Sequence, residues 1–187
     1  MGSWQAATLE EARLAAWNPP DWERGAQLSA DTVERLLGQL TGTVVEIGCG
    51  PGRVTEELAR RHPQLCVVGV DSSVDMLQWA PAGPVTYMLG DGETLPLDGP
   101  VDAIYSHLVF QHLPPARVQG YLREMCRVLR PRGRWLVQFV RGNEHHAMDH
   151  RYPVRVMADW AHEAGLQVQI VESHVYPEWV WMKGDRL

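Results

Sequence analysis

Val44-Val45-Glu46-Ile47-Gly48-Cys49-Gly50-Pro51-Gly52 decides the fold. An apolar run ends in an acid, three glycines follow at alternate positions, and Val54–Arg61 then has the pattern of a helix. Strand, glycine turn, helix start is an arrangement with a physical use. Glycines let a backbone approach a ligand closely, and the first turn of a helix offers N–H groups that have no partner within it. A single glycine there would be read as a tight turn. Three alternate glycines between a strand and a helix point to a binding loop.

Helices and short apolar runs alternate outward from this loop. Thr43–Ile47, Cys66–Val70, Val85–Leu89, Val101–Ser106 and Arg134–Val140 read as strands. Gln167–His174 and Glu178–Met182 are two more, with Pro177 between them. The helix at Val54–Arg61 carries Glu56 and Glu57 early and Arg60 and Arg61 late, which suits the helix dipole, and Pro63 blocks its continuation. Ser72 or Ser73 caps a short helix that ends before Pro81. Pro115–Leu129 shows one apolar face, Val118, Tyr121, Leu122, Met125, Val128 and Leu129. Val154–Ala164 is a helix closed by Gly165. Before the loop, Thr8-x-x-Glu11 is a capping box opening a helix that stops at Asn18-Pro19-Pro20. A second helix is expected over about Ala30–Leu40, with Gly42 ending it. Alternation of this kind implies a parallel sheet covered on both faces. The last two strands are too close in sequence for a crossover, so they pair as a hairpin with one strand antiparallel to the rest.

Composition narrows the functional classes. The chain has 187 residues, 45% hydrophobic and 21% charged, with a net charge of −6. That suits one domain with one core. The negative balance disfavours nucleic acid as a partner, since phosphates need a basic face. Lys183 is the only lysine, and the basic stretch Arg127–Arg134 reads as a helix end and loop. Three cysteines, Cys49, Cys66 and Cys126, form no C-x-x-C pair, so no zinc ribbon is expected and a reducing, cytoplasmic setting is. No secretory leader and no membrane span are read in the chain.

The glycine loop departs from the dinucleotide fingerprint G-x-G-x-x-G, whose third glycine would stand where Arg53 is. Glu46 would repel a pyrophosphate but could pair with an amino group. Glu46-Ile47-Gly48-Cys49-Gly50-Pro51-Gly52 resembles instead the first motif of the class I S-adenosylmethionine-dependent methyltransferases. Three further segments resemble that family in the same order: Val68-Gly69-Val70-Asp71-Ser72-Ser73, Gly90-Asp91-Gly92-Glu93-Thr94-Leu95-Pro96, and Arg127-Val128-Leu129-Arg130-Pro131-Arg132-Gly133. The resemblance covers roughly residues 43–140. It implies a Rossmann-like three-layer α/β sandwich with a mostly parallel seven-stranded sheet and a C-terminal antiparallel hairpin. Residues 1–42 would be an N-terminal helical segment of the same domain and a candidate lid, and 43–187 the cofactor-binding part.

The resemblance also implies roles. Gly48, Cys49 and Gly50 would run beneath the methionine part of S-adenosylmethionine, and Glu46 would reach its ammonium. Asp71 would accept from both ribose hydroxyls, with Ser72 beside it. Met76 would pack on the adenine, Asp91 would accept from its amino group, and the Gly92 N–H would donate to a ring nitrogen. Ser106 and His107 would line the sulfonium pocket. Methyl transfer needs no dedicated catalytic residue, and His107 and His112 are the candidates if a base is used. His145, His146, Asp149 and His150 would form faces on a helix, yet a solvated loop is the commoner outcome, so no metal is expected. The loop 141–152, the His107–His112 segment and the tryptophans Trp4, Trp17 and Trp22 are expected around a small-molecule methyl acceptor. Neither nucleic acid nor a membrane is expected as partner, and the chain would be a monomer or homodimer. A nicotinamide-dependent oxidoreductase and a non-catalytic partner subunit of methyltransferase fold are the alternatives.

Overall fold

A computed structural model describes residues 5–15, 21–144, 149–172 and 177–187. Helix α1, Leu9–Ala15, opens on the expected capping box: the Thr8 hydroxyl accepts from Glu11 N–H at 3.1 Å, and the Glu11 carboxylate accepts from Thr8 N–H at 3.2 Å. Helix α2 runs Trp22–Leu37, beginning eight residues before the expected start. The reason is Asp21, whose carboxylate caps the helix by accepting from Arg24 N–H at 2.9 Å. The extra turns contain Gly25 and only Ala26 as a buried residue, so apolar spacing does not reveal them. Gly38, in the left-handed region, ends the helix, while Gly42 sits in the turn into the sheet, where a Cβ would strike the Asp102 carboxylate.

The strands are β1 Thr43–Ile47, β2 Cys66–Asp71, β3 Val85–Leu89, β4 Val101–Ser106, β5 Leu129–Arg141, β6 Arg151–Tyr152, β7 Gln169–Glu172 and β8 Trp179–Asp185. Between them lie α3 Arg53–Arg61, α4 Val74–Leu77, a 3₁₀ turn at Phe110–His112, α5 Pro115–Val128 and α6 Val154–Glu163. The sheet runs β3-β2-β1-β4-β5-β8-β7, with β8 antiparallel to both neighbours. This is the expected mostly parallel sheet with a terminal antiparallel hairpin. The two-residue β6 alongside the end of β5 is an addition too short to leave a periodic signal.

Strand β5 begins five residues before the expected Arg134. Val101 pairs with Leu129 and Ala103 with Arg134, so residues 130–133 bulge between two neighbouring contacts. Their exposed Arg130, Pro131 and Arg132 carry no strand-like alternation.

Alternation along the strands separates two apolar layers. Val45, Ile47, Ile104, Val137 and Phe139 pack with α5 and α6, while Val44, Val67, Ala103, Tyr105 and Leu136 pack with α2 and α3. Thus α2 lies in the core, and within residues 1–42 only the part before Asp21 is free to act as a cover. Arg61 fastens α3 to α2 through Asp31 at 2.6 Å and Glu34 at 3.1 Å. Strand order reverses between β1 and β4. In open α/β sheets the crevice at such a switch, at the carboxyl ends of the strands, is where ligands bind.

Candidate active site

The glycine loop occupies that crevice. Gly48 N–H and Cys49 N–H both donate to the Val70 carbonyl, at 2.7 and 3.1 Å, so the loop hangs from the end of β2. Gly48 and Gly52 have φ of 73° and 84°. A Cβ would overlap Val109 at the first and the Tyr87 hydroxyl at the second, so both the conformation and the space require glycine. Cys49 is buried beneath the loop against Gly69, and burial pushes its thiol up.

Glu46 is 3% exposed at the end of β1. Its Oε2 accepts from the Thr55 hydroxyl at 2.5 Å and the Tyr105 hydroxyl at 2.8 Å. Burial lifts its carboxyl to about 7, against the lowering pull of those two bonds and of Arg53. Asp71 closes β2 with each oxygen on a different backbone donor: Oδ2 accepts from Gly50 N–H at 2.8 Å and Oδ1 from Ser73 N–H at 2.9 Å. Burial raises its carboxyl as well. A carboxylate has about four acceptor sites, which leaves capacity toward the crevice.

The expected site residues are not all equally open. Ser73, not Ser72, caps α4, accepting from Met76 N–H at 3.2 Å. Met76 is 3% exposed, because Ala6, Ala12 and Trp79 surround it. The Asp91 carboxylate turns onto its own loop. It accepts from Glu93 and Thr94 N–H at 2.7 and 2.6 Å and from the Thr94 hydroxyl at 2.8 Å, bonds that hold it down at about 2. Gly92 has φ of 77°, and its carbonyl accepts from Arg117. The Ser106 hydroxyl is fully buried and donates to the Ile47 carbonyl at 2.9 Å, tying β4 to β1. His107 stacks on Trp181 with ring centroids 5.2 Å apart. Burial there, helped by the Arg53 guanidinium, keeps its imidazole neutral by lowering it to about 3. His112 ends the 3₁₀ turn.

Sequence reasoning missed Thr55, Tyr105 and Arg53 as partners of Glu46. Tyr105 pairs in register with Glu46, and Thr55 lies in the first turn of α3. Pairing of β1 with β4 was the signal needed, and it requires the strand order.

The chain before α2 reaches the same crevice. Trp79 Nε1–H donates to the Ala6 carbonyl at 3.1 Å, and the guanidinium groups of Arg13 and Arg53 lie 5.1 and 5.5 Å from the centre of the Trp22 ring. On the opposite side, His150 N–H donates to the Gln111 carbonyl at 2.6 Å and the Tyr152 hydroxyl to the Leu113 carbonyl. His150 is extended beside β6, not helical; His145 and His146, like Trp4, Trp17 and residues 18–20, lie outside the described residues. Among the described residues there is no cluster able to hold a metal and no helix long and apolar enough to cross a membrane. A groove of about 210 Å³ between Leu36, Gln167 and Asp185 opens at the other end of the sheet and takes no part in the site.

The donor set fits S-adenosylmethionine: a buried carboxylate for an ammonium, a second for vicinal hydroxyls, and a glycine backbone between them. The fold is that of the class I S-adenosylmethionine-dependent methyltransferases. Residues 44–133 match the family model described as a methyltransferase domain. A methyltransferase from Aquifex aeolicus superposes with a TM-score of 0.74 at 19% identity, over 97% of this chain and 100% of that one. An amino pentose methyltransferase from Micromonospora echinaspora, with S-adenosylmethionine bound, gives 0.71 at 17% identity, over 97% and 98%. In sequence, the chain is 39% identical to a trans-aconitate 2-methyltransferase of Azoarcus sp. over 79% of its length, and 34% identical to that of Deinococcus radiodurans over 84%. It spans 59% and 62% of the length of those two curated relatives.

Proposed function

We propose that the protein transfers a methyl group from S-adenosylmethionine to a small carboxylic acid of the trans-aconitate kind. The observation that carries this reading is the pair of carboxylates, buried Glu46 and half-buried Asp71, on either side of the glycine loop at the switch point. The named activity of the trans-aconitate 2-methyltransferases supplies the acceptor class. When bound, the cofactor supplies an electrophilic methyl on a sulfonium, taken by the acceptor's oxygen as S-adenosylhomocysteine leaves.

Glu46 takes the ammonium, and Gly48, Cys49 and Gly50 pass under the methionine chain. Asp71, with Ser72 beside it, holds the ribose. Met76 and Gly92 bracket the adenine, and Asp91 shapes the loop that presents Gly92. Ser106 and His107 border the sulfonium. A carboxylate nucleophile is already ionised near neutral pH and needs no base. His107, kept neutral, suits a wall of the pocket better than a proton acceptor, and His112 retains a place beside the acceptor. Residues 5–15 cover the adenosine end. Three unpaired cysteines, one of them exposed, agree with a reducing cytoplasmic setting.

The test is incubation with methyl-labelled S-adenosylmethionine and trans-aconitate, followed by extraction of the labelled methyl ester. Cofactor binding with no label in trans-aconitate, fumarate or citrate would refute the acceptor class.

A further inference from the structure

We propose that Gln138 recognises the methyl acceptor, its side-chain amide donating a hydrogen bond to a carboxylate oxygen of the bound acid. The inference rests on the functional reading above and adds the residue that reads the acceptor. Gln138 is fully buried in β5. It shares a strand face with Leu136, which packs in the α2 and α3 layer with Tyr105 and Trp181. Ser106 pairs with Val137, which sets Gln138 beside His107, and Gln138 pairs directly with Trp181 on β8. His107 and Trp181 stack, so a row of two flat rings and one amide crosses the carboxyl ends of β4 and β5.

A glutamine enclosed in a strand is expected to have both ends of its amide bonded. One end is: Leu108 N–H donates to Oε1 at 3.0 Å. A backbone N–H can only donate, so the oxygen must be the atom that faces it, and the amide cannot be flipped. Nε2 therefore points the other way, and there it is buried with no hydrogen-bond partner. Leu108 presents its N–H from the left-handed region, φ 61°, unusual for a leucine and found where surrounding structure imposes it. The result is a donor of fixed direction, next to a neutral imidazole and an indole, at the strand ends where the acceptor has to lie. An oxygen is what satisfies it.

Glu is the informative replacement. Q138E keeps an oxygen toward Leu108 N–H and exchanges the donor for a second oxygen; Q138M removes both. The 187-residue protein is assayed for trans-aconitate methylation at saturating S-adenosylmethionine, with S-adenosylhomocysteine affinity measured by calorimetry. Loss of one donor to a charged oxygen should raise KM for the acid by about tenfold or more in both variants. Cofactor-product affinity should stay within about twofold. In Q138E alone KM should recover as pH falls, because a protonated Glu can donate again; a packing role would not produce this. Unchanged KM in folded Q138E and Q138M would overturn the proposal and leave the amide as a filler against Trp181. A parallel loss of S-adenosylhomocysteine affinity in both would overturn it too. A wild-type protein that binds S-adenosylhomocysteine but methylates none of the acids would defeat the functional reading, and this one with it, before any variant is made.

Discussion

Asp71→Ala is expected to damage two things at once, and the structure lets them be separated. The side chain accepts from Gly50 N–H at 2.8 Å and Ser73 N–H at 2.9 Å, both in a part-buried setting. Each donor left unsatisfied costs about 1–3 kcal/mol, so the stability loss should be about 2–6 kcal/mol, smaller if water enters. The same carboxylate is assigned both ribose hydroxyls, at about 1.5–3 kcal/mol for each bond to a charged group. Affinity for S-adenosylhomocysteine should therefore fall by about a hundredfold or more. Urea unfolding without ligand measures the first effect. Calorimetric titration, at a temperature where the variant is still folded, measures the second. Lower stability with unchanged affinity would mean that Asp71 only clamps the loop and caps the turn into α4. An unfolding midpoint and an affinity both equal to wild type would refute the reasoning altogether.

Glu46 gives a pH dependence of two opposite signs. Its folded carboxyl lies near 7 against an ordinary 4.5, so its contribution to stability is fully present below about pH 4.5 and is lost as pH rises through about 7. Binding an ammonium needs the ionised form, so S-adenosylhomocysteine affinity should tighten from about pH 6 to about pH 8 and then level; a flat profile would remove Glu46 from the ammonium. Gly48→Ala should abolish cofactor binding, since its φ of 73° and its contact with Val109 both exclude a Cβ; retained affinity in titration would show that the loop can move aside. Removing residues 1–20 spares the Asp21 cap and the core, so circular dichroism should change little while S-adenosylhomocysteine affinity drops. Full affinity in that truncation would reduce the Ala6–Trp79 contact to surface packing. S-adenosylhomocysteine should raise the melting temperature and NAD should not, by mass action on the folded state.

Much of the fold was legible because its signals are local. Strands β3 and β4 fall at the expected residues, since short runs rich in β-branched and aromatic residues between turn residues need no tertiary context. The start of α2 was hidden because Asp21 follows two prolines and precedes a turn with a glycine, and the start of β5 because a bulge breaks its alternation. The site divides in the same way. Glu46, Gly48, Gly50 and Asp71 lie in two short motifs, so their spacing reveals them. Tyr105, Thr55 and Gln138 matter through their cross-strand or cross-helix neighbours, and nothing in their own segments marks them. Met76 shows the reverse limit. Its position was legible, but its enclosure by Ala6 and Ala12 comes from a segment more than sixty residues away.

The Val70–Asp71 corner bears on the order of events in turnover. One strand end supplies both the carbonyl that suspends Gly48 and Cys49 and the carboxylate that fixes Gly50. The loop and the carboxylate proposed to hold the ribose are thus one piece, joined by backbone bonds before any ligand arrives. A preassembled socket spends little of its binding energy on ordering itself, so the cofactor is able to dock first and complete the wall against which the acceptor is held. Product-inhibition kinetics would then show S-adenosylhomocysteine competing with S-adenosylmethionine but not with the acid.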